Sequence, residues 1–198
     1  MISGILLAAG ESRRMGKPKL LLPWGETTII EEVVDAYLKS ALSELIVVVG
    51  ESKETIKKVL QSKPVKIVEN PFYRQGMSTS IRAGVLAASL KAEGYCIGLG
   101  DQLLITTKVI DLLISSFLKD RTGIAVISHQ GKRGHPVIFS SAFHDALCSL
   151  NGDLGGRTII ENHPSEVRYV EAETKAVLID IDTPEDYDKL SKKTLLSF

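Results

Sequence analysis

The sequence has little cysteine, and neither of its two cysteines indicates a cross-link or a metal site. Cys96 lies in YCIGLG and Cys148 lies in HDALCSL, which are both apolar surroundings. The C-x-x-C spacing that is typical of cysteine metal ligands does not occur. We therefore expect both side chains to be small buried residues without a disulfide between them.

The sequence also lacks net charge and a long apolar run. Lys and Arg together number 24, as do Asp and Glu, so no overall field favours nucleic acid or an anionic membrane. The apolar stretch 1–9 is too short to span a membrane and has no secretion-signal features. No repeat or linker interrupts the sequence. We expect a cytoplasmic protein with one domain over 1–198 and with no nucleic-acid or membrane partner.

Two common nucleotide-binding motifs, G-x-G-x-x-G and G-K-[ST], are absent as well. In their place the stretch ILLAAGESRRMGKPK, residues 5–19, joins an apolar run to Gly10, Ser12, Arg14 and Lys19. Glycine permits the backbone angles of a tight loop, and loop amides with Arg and Lys form a site for polyphosphate. A plain strand-to-helix turn with solvated basic residues is the alternative.

Short apolar runs alternate with helical patterns along the chain. The runs predict strands at 2–8, 45–49, 65–68, 95–99, 124–127, 136–139, 167–170 and 176–181. Helices are predicted between most of them, including one that Thr27 or Thr28 caps and one that begins near Thr79. Strands and helices that alternate at short spacing form a mostly parallel sheet with helices on both faces. The predicted fold is therefore a three-layer α/β/α, Rossmann-like domain.

Ligands of such sheets bind beyond the carboxyl ends of the strands, and polar residues occur at several of these ends. Asn70 follows the third predicted strand, and Ser80 lies in the first turn of the next helix, where it suits a phosphate or a ribose. Asp101 follows the fourth strand and is suited to holding Mg²⁺ beside substrate phosphates. The simpler interpretation of Ser80 and Asp101 is helix capping.

A second pair of carboxylates precedes the last helix, in DIDTPEDY. Thr183 and Pro184 explain the start of that helix, but they do not explain Asp180 and Asp182. Together with Asp101, these two residues could complete a divalent-metal site.

Two glycine-containing segments supply candidates for a second substrate. In GHPVIF, His135 has an ordinary pKa near neutrality and suits a substrate contact, while Pro136 suits the first position of a strand. In NGDLGGR, Asp153 and Arg157 could contact the second substrate or close over the site. A purely structural role is a comparable interpretation of each segment.

The order L-A-A-G-x-S-x-R-M-G-x-x-K resembles the signature loop of the MobA/MocA-type nucleotidyltransferases, and the similarity extends along the chain to DIDTPED. The resemblance implies a fold of the nucleotide-diphospho-sugar transferase type. It also implies that Arg14 and Lys19 stabilise charge on the phosphates during attack at the α-phosphate. The loop residues that would wrap the triphosphate are Leu7, Ala8, Ala9, Gly10, Ser12, Arg14 and Lys19.

The same resemblance assigns roles to the other candidates. It implies that Asn70 and Ser80 contribute to the nucleotide pocket and that Asp101 is a Mg²⁺ ligand. It favours Asp180, followed by Asp182, as the second metal ligand. The residues that it places on the acceptor side are His135, Pro136, Asp153 and Arg157. One departure is Leu103, which stands where the family's G-D-Q-P has proline.

The identity of Ala9 bears on the nucleotide, since relatives that use GTP tend to have a second glycine there. The sequence resembles the CTP-using branch, the molybdenum cofactor cytidylyltransferases. The implied reaction is Mg²⁺-dependent transfer of CMP from CTP to the phosphate of molybdopterin, with release of pyrophosphate. The implied partners are these small molecules and, transiently, a molybdoenzyme or its chaperone.

Three alternatives remain open at this point. The same chemistry could use GTP, or it could use a sugar or polyol phosphate as the acceptor. A different class of protein would bind and deliver a cofactor without catalysis. We expect such a delivery protein to lack Arg14, Lys19 or Asp101, and all three are present.

Overall fold

The computed structural model describes residues 1–119 and 123–195, and its main feature is a seven-stranded sheet. The strands are β1 (Ile2–Ala8), β2 (Pro23–Trp24), β3 (Thr27–Thr28), β4 (Glu44–Val49), β5 (Lys66–Glu69), β6 (Gly94–Leu99), β7 (Ile124–His129), β8 (Lys132–Ser140) and β9 (Val167–Glu171). The helices are α1 (Ile29–Leu38), α2 (Lys53–Val59), α3 (Met77–Ala87), α4 (Thr107–Leu118), α5 (His144–Cys148), α6 (Arg157–Asn162) and α7 (Pro184–Leu195).

The order of strands in the sheet is β5-β4-β1-β6-β8-β7-β9, while β2 and β3 form a separate small hairpin. β1 pairs in parallel with β4 and β6, β4 pairs in parallel with β5, and β7 does so with β9. β8 is antiparallel to both of its neighbours, β6 and β7. The predicted mostly parallel sheet is therefore confirmed.

Each face of the sheet is covered by its own set of helices, which explains why the central strands are mostly apolar. In β1, Ile5 packs into the core beneath α3, α5 and α6, whereas Leu6 packs into the opposite core with α1, α2 and α4. Both side chains are fully buried. A strand buried on both faces has no solvent-facing polar side, and its sequence is consequently a nearly continuous apolar run. The predicted three-layer arrangement is confirmed.

The predicted start of α1 is confirmed in detail. Thr28 is the N-cap, and its backbone N–H donates to the Glu31 carboxylate at 2.9 Å, which forms a capping box. The helix near Thr79 begins two residues earlier than predicted, at Met77. Helix ends are set by these local contacts, which periodicity alone does not locate.

The predicted last strand, 176–181, is wrong. Residues Lys175–Leu178 form a 3₁₀ turn, which starts where the Thr174 hydroxyl accepts a hydrogen bond from the Ala176 N–H at 3.2 Å. Val177 is completely buried against the sheet, and a β-carbon on Gly134 of β8 would clash with its carbonyl oxygen. The apolar residues are thus buried by a turn that packs on the face of the sheet.

Pro136 does not begin a strand as predicted. It lies inside the nine-residue β8, after a cis peptide bond with His135. The β7–β8 register shifts between Val126 and Ser128, opposite this position. Proline has no N–H to donate, so it is tolerated where a bulge interrupts the ladder.

The expectations from composition are met in part. Both cysteines are free thiols; Cys96 is buried as expected, whereas Cys148 is only half-buried. None of the helices in the described residues has the length and hydropathy that crossing a membrane requires.

One polar atom in the core generates a stability prediction. The Tyr37 hydroxyl is buried, and no atom of the described residues is placed to bond it. Because an unpaired buried hydroxyl loses its hydration without compensation, we expect Tyr37→Phe to raise the free energy of unfolding by about 1 kcal/mol. Urea denaturation measures this change. The matched variant Tyr169→Phe, at an exposed ring, should change the free energy of unfolding by less than about 0.5 kcal/mol. A Tyr37→Phe variant less stable than the natural protein would contradict the account.

Candidate active site

A cavity of about 490 Å³ lies at the carboxyl ends of β1 and β6, where parallel α/β sheets bind their ligands. We call it the nucleotide cavity. The described residues that line it are Leu7, Ala8, Ala9, Gly10, Glu11, Ser12, Arg13, Arg14, Lys19, Leu20, Tyr73, Arg74, Gly76, Met77, Ser80, Leu99, Asp101, Asp153, Asp180 and Asp182. All seven residues predicted for the triphosphate loop are among them.

The loop that follows β1 is closed by its own hydrogen bonds. The Ser12 carbonyl accepts from the N–H groups of Met15 at 3.0 Å and Gly16 at 3.1 Å, and the Ser12 hydroxyl accepts from the Lys19 N–H at 3.2 Å. Gly16 has φ +69°, a conformation that glycine adopts without strain. The turn therefore directs the chain back to the cavity, so that Lys19 lines it.

Lys19 is the centre of an ion cluster. Its ammonium donates to Asp182 Oδ1 at 2.9 Å and also to Asp101 Oδ2, while Arg14 pairs with Asp182 Oδ2 at 2.8 Å. Lys19 and Asp101 are largely buried, with side chains 14% and 16% exposed. Burial acts to lower the pKa of Lys19, but the two carboxylates outweigh it and hold that pKa above its ordinary value. Lys19 is therefore a fixed positive charge inside the cavity.

The carboxylates reach this cluster from two segments of the chain that are bonded to each other. The Ile181 N–H donates to the Asp101 carbonyl at 3.2 Å, and Gln102 Nε2 donates to Asp180 Oδ1 at 2.8 Å. Burial raises the pKa of Asp101, the Lys19 ammonium opposes this, and the nearby Asp180 charge raises it further. A cation added beside Asp101 would be stabilised, because an opposite charge favours the ionised form of a carboxyl group.

The predicted three-carboxylate metal centre is not preassembled. No group of three His, Cys, Asp or Glu side chains among the described residues is arranged to hold an ion. The physical reason is that the Lys19 ammonium lies between Asp101 and Asp182, while Asp180 is bonded to Gln102. The donor set nevertheless fits Mg²⁺, which binds through one or two carboxylates together with substrate phosphates and water.

Asn70 supports the cavity from behind and does not line it, contrary to prediction. Its side chain is buried; Nδ2 donates to Thr79 Oγ1 at 2.8 Å and to Ser80 Oγ at 2.9 Å. Its Oδ1 accepts from the Phe72 N–H at 2.9 Å. Ser80, by contrast, lines the nucleotide cavity as predicted. Asn70 therefore positions Ser80, whose hydroxyl remains the candidate ligand contact.

The predicted glycine-rich segment that contains Asp153 packs against the start of α3. The Gly152 carbonyl accepts from the Ser78 hydroxyl at 2.6 Å, and Asp153 Oδ1 accepts from the Met77 N–H at 3.2 Å. Gly76 has φ +112°, and a β-carbon there would lie 2.6 Å from the Gly152 carbonyl. This close approach fixes Asp153 at the edge of the nucleotide cavity.

A second cavity of about 270 Å³ adjoins the first and shares Leu7, Met77 and Asp153 with it. Its walls are mostly apolar, and its polar lining includes Arg133, His135, Asp153 and Arg157. The further apolar residues that line it are Ile81, Ile97, Val126, Val137, Phe139, Leu154 and Ile160. We call it the acceptor cavity. Of the four residues predicted for the acceptor, three line it.

His135 lies between the acceptor cavity and the carboxylates. Its Nδ1 is buried and has no partner among the described residues. Burial lowers the pKa of His135, and the charges of Asp180 and Asp101 oppose the shift without reversing it. The imidazole is therefore neutral at neutral pH. Pro136, the fourth predicted residue, is buried in the sheet and lines neither cavity.

Sequence reasoning missed several lining residues. Glu11, Tyr73 and Arg74 line the nucleotide cavity, and Arg133 lines the acceptor cavity. The position of Arg74 after β5, at the carboxyl edge of the sheet, is a signal that could have identified it. The apolar walls of the acceptor cavity gave no such signal, because their residue types are those of any core.

The sequence and the fold of this chain are similar to those of known proteins. The sequence profile of the family described as "MobA-like NTP transferase domain" matches residues 4–167. The chain belongs to that family, and its class is nucleotidyltransferase. It is 32% identical over 192 residues to the molybdenum cofactor cytidylyltransferase of Escherichia coli (strain K12), covering 94% of this chain and 93% of the relative.

Other relatives carry different names. The chain is 29% identical over 196 residues to the nicotine blue oxidoreductase of Paenarthrobacter nicotinovorans, covering 96% of each. Among solved structures, the Rv0371c homologue from Mycobacterium sp. strain JC1 has a TM-score of 0.87 and 30% identity, covering 100% of this chain and 98% of that one. A manganese complex of Rv0371C from Mycobacterium tuberculosis has a TM-score of 0.81 and 26% identity, covering 96% and 98%. Relatives with the same fold have different names, so the fold does not identify the substrates. The residues of the site are the evidence for them.

The role found for Asn70 generates a prediction. Asn70→Ala removes three side-chain hydrogen bonds inside the protein, so we expect the free energy of unfolding to fall by about 2 to 3 kcal/mol. Thermal or urea denaturation measures it. Asn151→Ala, whose amide makes one exposed bond, is the matched control and should cost less than about 0.5 kcal/mol. Equal stability of the two variants would contradict the supporting role.

Proposed function

We propose that this protein transfers CMP from CTP to the phosphate of a molybdopterin-type acceptor and releases pyrophosphate. The observation that supports it most directly is the adjacency of two cavities of different character. One is lined by a phosphate-binding loop and carboxylates, and the other is largely apolar; they meet at Leu7, Met77 and Asp153. An acceptor phosphate at this junction would face the α-phosphate of a nucleotide.

The reaction needs no activated serine or cysteine in this site. The acceptor phosphate is already anionic at neutral pH and is itself the nucleophile. Its oxygen forms a bond to the α-phosphorus while the bond to the pyrophosphate oxygen breaks. The chain's contribution is orientation and stabilisation of charge, as in phosphoryl transfer in general. Lys19 and Arg14 line the nucleotide cavity, and their positive charges would stabilise the α-phosphate and the leaving pyrophosphate.

The charge of the nucleotide cavity supports a requirement for a divalent cation, for which we propose Mg²⁺. The described residues that line it include four cations, namely Arg13, Arg14, Lys19 and Arg74, and five carboxylates, namely Glu11, Asp101, Asp153, Asp180 and Asp182. Because the carboxylates outnumber the cations, the lining by itself does not neutralise the negative charge of a triphosphate. Asp101 with Asp180 or Asp182 would hold the ion, which when bound supplies charge neutralisation at the phosphates.

The lining of the acceptor cavity favours a ring system over a sugar or polyol phosphate. Its walls are mainly aliphatic and aromatic side chains, and hydroxyl groups of a polyol that lie against these walls would be buried without partners, which is unfavourable. His135 and Arg157 are the side chains that we propose for the polar edge of the acceptor. A product of this kind would pass to a molybdoenzyme or its chaperone, which is the partner that the proposal implies.

The choice of CTP depends on Ala9, which is buried at the start of the phosphate loop and lines the nucleotide cavity. A side chain at this position narrows the space beside the loop, compared with the glycine of GTP-using relatives. The smaller pyrimidine base is compatible with the narrower space, and this is the reason for proposing CTP over GTP.

The test is pyrophosphate release by the purified protein with Mg²⁺, using CTP, GTP, ATP and UTP, each with and without a molybdopterin-type cofactor. We expect release that is confined to CTP plus cofactor and is abolished by EDTA. Release with another nucleotide, or only with a sugar or polyol phosphate, would overturn the substrates while leaving the reaction class. No release with any pair, together with tight cofactor binding, would favour a delivery protein.

A further inference from the structure

A series of ion pairs joins the phosphate loop to the turn that contains Arg74 and to Glu51. Glu11 Oε2 pairs with Arg13 Nη2 at 2.7 Å, and Glu11 Oε1 accepts from Arg74 Nε at 3.3 Å. Arg74 Nη2 in turn pairs with Glu51 at 3.2 Å. Glu11, Arg13 and Arg74 all line the nucleotide cavity. One carboxylate therefore lies where two guanidinium groups converge, and each of its oxygens is paired with a different one.

The burial of the three side chains is unequal. Glu11 is only 23% exposed, whereas Arg13 is 79% exposed and Arg74 is 65% exposed. Two exposed guanidinium groups around one oxyanion form an arrangement that a phosphate group also satisfies, since planar guanidinium donors match carboxylate and phosphate geometry alike. An exposed ion pair of this kind contributes little stability by itself, so replacing its anion by another is not costly.

The turn that contains Arg74 is held firmly beside the loop. A β-carbon on Gly50 would lie 2.8 Å from the Tyr73 ring and 2.6 Å from the Ala9 carbonyl oxygen, so Tyr73 packs against the base of the phosphate loop. The Tyr73 hydroxyl donates to Glu51. The Arg74 guanidinium lies 5.4 Å from the centre of the Tyr73 ring. Arg74 thus lines the cavity beside the phosphate loop, where it pairs with Glu11.

We propose that Arg74 is a further triphosphate-binding residue, and that Glu11 is a counter-charge which the nucleotide phosphates displace from Arg13 and Arg74. The inference rests on the proposed function only in that the cavity binds a nucleoside triphosphate. Glu11 lowers affinity for the nucleotide because it occupies the two guanidinium groups. Until the nucleotide binds, it offsets their mutual repulsion.

Direct titration of CTP into the full chain with Mg²⁺, without acceptor, tests the inference by calorimetry. We expect Arg74→Gln to raise the dissociation constant of CTP about tenfold, as loss of a charge-assisted hydrogen bond does. Arg74→Lys should recover part of the lost affinity for CTP. Glu11→Gln should lower the dissociation constant about threefold, and that gain should shrink in the Glu11→Gln, Arg74→Gln double variant. Arg168→Gln, an exposed arginine that lines neither cavity, is the matched control.

Two results would overturn the inference. One is an unchanged dissociation constant in Arg74→Gln, and the other is weaker CTP binding in Glu11→Gln, which would make Glu11 a fixed part of the site. Circular dichroism and the free energy of unfolding of each variant separate a local effect from misfolding. The expected binding pattern without turnover on any acceptor would refute the proposed function alone. Turnover without that pattern would refute this inference alone.

Discussion

The interaction on which the site depends is the ammonium of Lys19 held between Asp101 and Asp182. A buried charge is tolerated only when it is paired, and here Lys19 and its two partners come from three segments that lie far apart in the sequence. They meet because β1 and β6 are adjacent and parallel, so that the loops after both strands emerge at one edge. The segment after Leu178 reaches this edge through the hydrogen bond from Ile181 to Asp101.

Much of the fold could be predicted, because burial on both faces leaves an unmistakable pattern. The runs that form β1 and β4 are mostly apolar, and the Thr28 cap has the local chemistry of a helix start. The prediction of a strand at 176–181 was wrong for an equally physical reason. An apolar run is buried both in a strand and in a 3₁₀ turn that packs on a sheet, so the run does not distinguish the two. The prediction that Pro136 begins a strand was wrong because a register shift is a property of two paired strands, and the sequence of one strand does not reveal it.

The residues that line the cavity could be predicted where they follow one another in a short motif. They could not be predicted where their position depends on contacts between residues far apart in the sequence. The order of Gly10, Ser12, Arg14 and Lys19 along the chain is sufficient to predict a loop whose residues line the cavity. Asn70 was assigned to the nucleotide pocket, yet its hydrogen bonds are directed to side chains behind that pocket. The pairing of Arg74 with Glu11, 63 positions away, has no local sign at all.

The central claim is that the bond broken lies between the α-phosphate of the nucleotide and its pyrophosphate. Tracing radioactive phosphate from CTP labelled at the α or the γ position tests it most directly, with Mg²⁺ and a molybdopterin-type acceptor. The account predicts that the α label appears in the acceptor product and that the γ label is recovered only in pyrophosphate. Transfer of the γ label to the acceptor would show phosphoryl transfer instead and would contradict the account.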